Sequence, residues 1–351
     1  MVLDDRTRQE IKKKFEAELR EDVHIKLFSS NLIMGTGDGN SEYVDFTKDF
    51  VKELSELHDK IHVAFEDMYG EEAKKRDITV SPSVIIGDGN GWYPVHYFGA
   101  PAGYEAGSFI EAVSMISRRE SALDPSSRKK LGHIDRDLLI ETYVTPGCPH
   151  CPRAVVLSNQ IAIESGGTIV SRCIEAQEMM GRAQLFNVSS VPQQVINEER
   201  DSVTIGVQQE QTFVNQVLEY GSARAQEILA EEEEARKKQE MLRDDPDCPV
   251  VITDGNIDEA IARYPFLVVD CWAEWCGPCK MIGPVIENLA SSQRGSIVFG
   301  KLDVDSNPGS SSRFNIRSIP NLLVFKEGEK VGDIIGAMPE DMLLEKINAY
   351  R

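Results

Sequence analysis

The fold is decided by Phe266-Leu267-Val268-Val269-Asp270-Cys271-Trp272-Ala273-Glu274-Trp275-Cys276-Gly277-Pro278-Cys279-Lys280-Met281. An apolar, strand-like run carries a single acid, Asp270, ends at Trp-Cys-Gly-Pro-Cys, and passes into a helical pattern. Two cysteines three apart at a helix start can close a small disulfide ring without moving the backbone. The first, Cys276, stands where unpaired helix N–H groups and the helix dipole stabilise a thiolate. The second, Cys279, is one turn inside, placed to resolve a mixed disulfide. Pro278 limits the flexibility of the loop. A competing reading is half of a zinc site, which requires a second pair of ligands nearby.

The rest of the chain gives this stretch room. Its 351 residues, 41% of them hydrophobic, are enough for two to four domains with buried cores. A formal charge of −20 argues against nucleic acid and anionic membrane surfaces as partners. Acidity also occurs in salt-adapted proteins, so it names no partner. No run of about 18 apolar residues is present, and no transmembrane helix is expected. Met1 to Arg20 is charged, without a secretory core. Ile11, Phe15 and Leu19 recur at i, i+4 and i+8, the spacing of an amphipathic helix. A cytoplasmic location is the expectation. Of seven cysteines, four fall in two Cys-x-x-Cys pairs, which in a reducing compartment read as redox or metal sites rather than staples.

Taken in order, the chain predicts strands at 23–29, 61–65, 77–86 and 92–98, with helices at 45–61 and 104–117. This β-α-β-(α)-β-β-α order is that of a thioredoxin-like unit. It repeats with strands at 138–144, 168–173, 190–196 and 202–207, helices at 151–164 and 175–185, and a helix beginning near Gln209. The third copy has strands at 266–273, 297–304, 318–324 and 330–335, a long helix from Cys279 to Ser291 that Pro284 should kink, and a last helix at 339–350. Ser81-Pro82, Val191-Pro192 and Ile319-Pro320 each enter the third strand of a unit and are expected to be cis. The predicted architecture is α/β with three such units, the first two fused and the third tethered. The expected boundaries are 1–125, 126–221, a charged helical spacer at 222–246, and 247–351. The spacer carries Glu231-Glu232-Glu233-Glu234-Ala235-Arg236-Lys237-Lys238, acids four before bases on a solvated helix. A disordered tether is the alternative for it.

Residues 247–351 resemble thioredoxin throughout. The resemblance implies that Asp270 is the buried acid below the dithiol and that Lys301 modulates it. A carboxylate in an apolar strand should have a raised pKa and can take the proton of Cys279. Trp275, Gly277 and Pro278 match the flat surface that docks partner proteins, and Ile319 with Pro320 the turn against which a substrate chain lies. Cys271 departs from the family, which usually has an aromatic there. It reads as a small buried hydrophobe, with a redox role as the alternative.

In the second unit, Pro146-Gly147-Cys148-Pro149-His150-Cys151-Pro152 places Cys148 at a helix start and Cys151 one turn on. His150 adds a donor and, when protonated, a charge, so the pair should be more oxidising than Cys-Gly-Pro-Cys. Val191 and Pro192 should face it. A metal site and a glutaredoxin-like cluster are the other readings of this motif. Residues 10–220 resemble archaeal protein disulfide oxidoreductases and the N-terminal domain of the alkyl hydroperoxide reductase flavoprotein. The shared signs are Tyr97-Phe98-Gly99-Ala100-Pro101-Ala102-Gly103-Tyr104-Glu105, Ile134-Asp135-Arg136-Asp137 and Val144-Thr145-Pro146-Gly147-Cys148-Pro149-His150-Cys151-Pro152. In that flavoprotein domain only the second unit keeps its dithiol. Here the missing first dithiol falls at Ser41-Glu42-Tyr43-Val44, so the first unit should be redox-silent.

His24, His58, His62, His96 and His133 show no ligand spacing, and no metal is expected. Gly35-Thr36-Gly37-Asp38-Gly39 lacks the context of a nucleotide loop, and no dinucleotide fingerprint occurs. No cofactor is therefore expected, and a flavin or nicotinamide would have to sit on another protein. The sequence points to an intracellular thiol–disulfide oxidoreductase. It would act on protein disulfides, including an oxidised peroxiredoxin, and be fed by a separate thioredoxin-reductase-like donor. A disulfide isomerase or oxidant, a metal-bridged protein, and a holdase or scaffold with vestigial dithiols are the alternatives.

Overall fold

The structure, a computed structural model, describes residues 2–30 and 41–351; the Gly35–Gly39 stretch lies outside the described residues. The chain divides into two compact units, Met1–Leu229 and Ala230–Arg351.

The first unit begins with α1 (Asp5–Glu18), β1 (Val23–Ser29), α2 (Ser41–Ser55), β2 (Ile61–Asp67) and α3 (Glu71–Lys75). It continues through β3 (Ser83–Gly87), β4 (Val95–Phe98), α4 (Glu105–Arg118), α5 (Pro125–Leu131), β5 (Leu138–Val144) and α6 (Cys151–Glu164). It closes with β6 (Ile169–Glu175), α7 (Met180–Leu185), β7 (Gln193–Ile196), β8 (Thr204–Ile205) and α8 (Glu210–Gly221). All its strands join one sheet in the order β2-β1-β3-β4-β6-β5-β7-β8. The two expected copies are thus two four-stranded halves. Parallel pairing of β4 with β6, from Val95↔Ser171 to Phe98↔Ile174, fuses them. Strand alternation then sorts the side chains: Val95 and Tyr97 enter the core shared with α1, α2 and α4, while Phe98 enters the core on the opposite face.

Several elements differ from expectation: the strands expected at 92–98, 190–196, 202–207 and 318–324 begin at Val95, Gln193, Thr204 and Asn321, and three larger shifts have local reasons. The helix expected to Ile61 ends at Ser55, because Leu57 is buried in the following turn and Ile61 already starts β2. Apolar residues there keep helical spacing without being helical. The strand expected from Asp77 begins at Ser83: Asp77 has φ 53°, and Pro82 has no N–H for a ladder. The helix expected from Glu175 starts at Met180, because β6 runs on to Glu175 and the turn after it is closed by the Glu178 N–H on the Glu175 carboxylate at 2.5 Å.

The second unit is entered through α9 (Ala225–Glu240), whose start belongs to the first. It contains β9 (Val250–Ile252), α10 (Ile257–Arg263), β10 (Phe266–Trp272), α11 (Gly277–Ser292), β11 (Val298–Asp303), α12 (Pro308–Arg313), β12 (Asn321–Lys326), β13 (Glu329–Ile335) and α13 (Glu340–Asn348). The sheet order is β13-β12-β10-β11-β9, with β10 central. On β10, Phe266 and Val268 meet the α11 face, while Leu267, Val269 and Cys271 fill the opposite core. Helix α11 continues through Pro284. The chain after α9 packs onto this unit: Leu242 is buried, Asn256 donates to the Glu240 carbonyl at 2.9 Å, and the Tyr264 hydroxyl donates to the Arg243 carbonyl at 2.6 Å. Among the described residues no helix is long and apolar enough to cross a membrane.

In the first unit a buried acid ties β5 to β6 and α7. Glu141 is fully buried and accepts from Arg182 at 2.7 Å and Arg172 at 3.5 Å. Glu141→Gln would strand the buried Arg172 charge, and such losses cost roughly 3–5 kcal/mol. Denaturant unfolding of the intact chain should therefore show the first unit melting earlier, with the transition of the second unit in place.

Candidate active sites

Both Cys-x-x-Cys pairs close on themselves, with Cα–Cα distances of 5.5 Å for Cys148–Cys151 and 5.3 Å for Cys276–Cys279. Each sits at a helix start. Cys276 caps α11 and its Sγ accepts the Cys279 N–H at 3.2 Å; the Cys148 Sγ accepts the Cys151 N–H at 3.1 Å at the start of α6. These amides are among the donors that a helix leaves unpaired, and they favour negative charge on the first sulfur.

The first cysteines are less open than their role as attackers suggests. Cys276 is 3% exposed and Cys148 7%, beside 4% for Cys279 and 0% for Cys151. The covers are specific: the Val191 carbonyl lies 3.8 Å from the Cys148 Sγ, and Cys276 packs among Trp272, Ala273 and Ile319. Ser81-Pro82, Val191-Pro192 and Ile319-Pro320 are all cis, as expected. Pro149, His150, Gly277 and Pro278 are exposed, and Trp275 is held over the surface by its indole N–H donating to Asp305 at 2.8 Å.

A feature absent from the sequence reading follows each cis-proline. A glycine amide donates to the proline carbonyl in every case: Gly99 to Pro82 at 2.9 Å, Gly206 to Pro192 at 2.8 Å, Gly336 to Pro320 at 2.9 Å. The residue before that glycine is an exposed isoleucine beside both dithiols, Ile205 and Ile335, but the buried Phe98 in the half that has none. Pairing of β4 with β6 places Phe98 inside the sheet. Beside Val191 a cleft of about 740 Å³ opens, lined by Thr145, Met180, Gln184 and Ser190.

Asp270 is 1% exposed, and neither carboxylate oxygen has a hydrogen-bond partner. Between Val268 and Trp272 it faces α11, the helix that the dithiol begins. Burial pushes its pKa up to about 6, against the pull of Lys301. Lys301 is its register partner on β11, with its ammonium 5.3 Å from the centre of the Trp272 ring and 3.9 Å from Glu287. Gly283, one turn after Cys279, makes room: a Cβ there would lie 3.9 Å from the Lys301 Nζ. Cys271 is buried in the other core, where desolvation raises its thiol pKa strongly.

The second dithiol has no acid at the matching position of its own strand, and the acid that β5 does carry, Glu141, is paired with Arg182 and Arg172. Thr142, six residues before Cys148 as Asp270 is before Cys276, shares a hydrogen bond with Ser158 at 3.0 Å. The cysteine-free half brings a buried acid to the turn that precedes this dithiol. Glu105 is 2% exposed at the start of α4; its Oε2 accepts from Ser108 at 2.6 Å and its Oε1 has no partner. Burial raises its pKa to about 7. The Tyr104 N–H donates to the Pro146 carbonyl at 3.3 Å, which pins the start of α4 to the Thr-Pro-Gly-Cys turn. Only glycine fits at 103, where φ is 61° and a Cβ would meet that carbonyl at 2.3 Å. The signal was present in Gly103-Tyr104-Glu105, yet nothing local ties it to a cysteine over forty residues later. Among the described residues no group of three metal-ligating side chains occurs.

The thioredoxin family matches residues 249–349. The chain is 46% identical over 101 residues to the thioredoxin of Staphylococcus haemolyticus, spanning 29% of this chain and 96% of that protein. It is 46% identical over 99 residues to thioredoxin 2 of Chlorobaculum tepidum, spanning 28% and 91%. A protein disulfide oxidoreductase from Aeropyrum pernix is similar in structure, with a TM-score of 0.54 at 26% identity over 63% of this chain and 95% of that one. The N-terminal domain of alkylhydroperoxide reductase AhpF from Enterococcus faecalis shares the fold, with a TM-score of 0.53 at 23% identity over 60% and 98%. The protein is a thiol–disulfide oxidoreductase, and the chain belongs to the thioredoxin family.

The buried acid has a measurable cost. Its pKa of about 6 in the fold exceeds the ordinary 3.8, so the folded state binds the proton more tightly. The associated stability is complete below pH 3.8 and is lost as pH rises through 6. With 1.36 kcal/mol per unit, Asp270→Asn should stabilise the second unit by about 2–3 kcal/mol at pH 7.5 and by almost nothing at pH 3.5. Thermal unfolding at both pH values checks this; equal effects would mean that Asp270 is not desolvated.

Proposed function

We propose that the chain passes two electrons at a time between protein disulfides through both dithiols, and that Cys276/Cys279 reduces Cys148/Cys151. What supports this reading is the placement of two buried carboxyls, Asp270 on the strand that leads into Cys276 and Glu105 at the start of the helix pinned to the turn before Cys148.

The Cys276 thiolate attacks a disulfide of the substrate, forming a mixed disulfide and releasing one substrate thiolate. Cys279 then gives its proton to the Asp270 carboxylate and attacks Cys276. The second substrate thiolate leaves, the Cys276–Cys279 disulfide closes, and the proton on Asp270 passes to solvent. Lys301 holds the potential at Asp270 in range. Cys148, Cys151 and Glu105 repeat the cycle. Trp275, Gly277, Pro278, Ile319 and Pro320 receive the partner chain at one dithiol, and Pro149, His150, Val191 and Pro192 at the other.

In this reading residues 1–125 are a silent unit that supplies Glu105. Residues 126–221 hold the more oxidising dithiol, 222–246 form the spacer, and 247–351 form the more reducing domain. The acceptor is a protein disulfide such as that of a peroxiredoxin, and the donor a separate thioredoxin-reductase-like protein in the same intracellular compartment. Every 30 mV between the dithiols favours transfer by about 1.4 kcal/mol, so a modest gap sets the direction. The tether keeps both dithiols on one molecule at an effective concentration in the millimolar range, on the order of that for short linkers.

Midpoint potentials of the two dithiols, read separately in Cys148→Ser/Cys151→Ser and Cys276→Ser/Cys279→Ser chains, test the direction. The expected order is a lower potential for Cys276/Cys279; the reverse overturns it. Reduction of Cys148–Cys151 in the intact chain should proceed at a rate independent of dilution. Glu105→Gln should slow turnover at Cys148/Cys151 by tenfold or more and leave Cys276/Cys279 as before, general-base effects being about 10²–10⁴-fold.

A further inference from the structure

Asp270 must exchange its proton with water in every cycle, yet it is 1% exposed and its strand neighbour on β12 is the apolar Leu322. The charged groups around it are few. Lys301 faces it from β11, and Glu287 of α11 reaches Lys301 at 3.9 Å. Next to Lys301 the second unit holds a cavity of about 720 Å³, with Trp272, Lys301 and Asp303 in its inner wall. Its outer wall is Arg236 and Glu240 of α9, joined by an ion pair at 3.1 Å. Asp254 completes the charges, its carboxylate turned to the Gly309 and Ser310 amides at 2.9 and 2.6 Å. The Asn256 side chain clamps α9 in place through the Glu240 carbonyl. Residues 236 and 240 precede the 249–349 span that defines the family domain.

We propose that this cavity is the route by which water reaches the Asp270–Lys301 pair, and that Arg236 and Glu240 of α9 are positioning residues for proton release from Asp270. The inference rests on the role given to Asp270 above. The spacer helix is then more than a tether. The anion at 240 draws the Lys301 ammonium outward and holds the proton on Asp270; the cation at 236 opposes it. The carboxyl proton leaves to cavity water.

The two charges predict opposite signs, which a merely structural role would not. In the full chain, the Asp270 carboxyl carbon resonance is followed against pH. Glu240→Gln should move its midpoint down by a few tenths of a pH unit, and Arg236→Gln should move it up by a similar amount. Val251→Trp, on the cavity wall, should slow Cys276/Cys279 turnover several-fold and spare Cys148/Cys151. Shifts of the same sign, or none in either charge variant, overturn the proposal. The resonance reads out whether or not the chain reduces a disulfide, so a failure of the proposed function would appear separately, as normal titration shifts with no turnover.

Discussion

The second unit is arranged around a carboxyl group deprived of water. Asp270 sits in the central strand with neither oxygen bonded and a pKa near 6. A core position of this kind opposes folding at neutral pH, and what offsets it is the packing of β10 between two apolar faces. Lys301 relieves the charge only in part, from across the sheet. A fully paired carboxylate would be more stable but would hold its proton too weakly to exchange one with a thiol. In the proposed mechanism, that partial compensation gives the group a suitable strength as a base.

The first unit meets the same need by another route. Its dithiol strand carries Thr142, which cannot take a proton from a thiol, and the buried acid Glu105, to which we assign that role, stands at the start of α4. In the proposed mechanism, fusion through β4 and β6 is then functional as well as structural. It holds α4 against the Pro146 turn, and it buries Phe98 where the two dithiol-bearing domains expose an isoleucine. The cysteine-free half carries a buried acid on α4, and the rim beside its cis-proline is core.

Much of this was legible in the sequence. The strand ending in Trp-Cys-Gly-Pro-Cys, the three Xaa-Pro strand entries and the repeated element order are local patterns, and local patterns determine local structure. The central strand appears at Phe266–Trp272 against an expected 266–273. What was illegible is non-local. Pairing of β4 with β6 joins two segments through register, which no periodicity records. Glu105 lies beside a turn more than forty residues away. The space at Gly283 and the polar wall formed by Arg236 and Glu240 depend on how helices settle on the sheet. The boundaries that moved most did so at Leu57, Asp77 and Glu175, where apolar spacing or extended sequence persisted past the point at which turn geometry took over.

Two sulfurs at helix starts, each accepting the amide N–H of the cysteine one turn on, imply an order of reactivity that one experiment reads directly. The reduced full chain is alkylated at neutral pH without denaturant, and labelled cysteines are quantified over time by mass spectrometry. Cys276 and Cys148 are predicted to label before Cys279 and Cys151, with the exposed Cys248 labelling early as an unpaired surface thiol and the buried Cys173 and Cys271 following only on unfolding. Faster labelling of Cys279 or Cys151 would contradict the assignment of attacker and resolver on which the account depends.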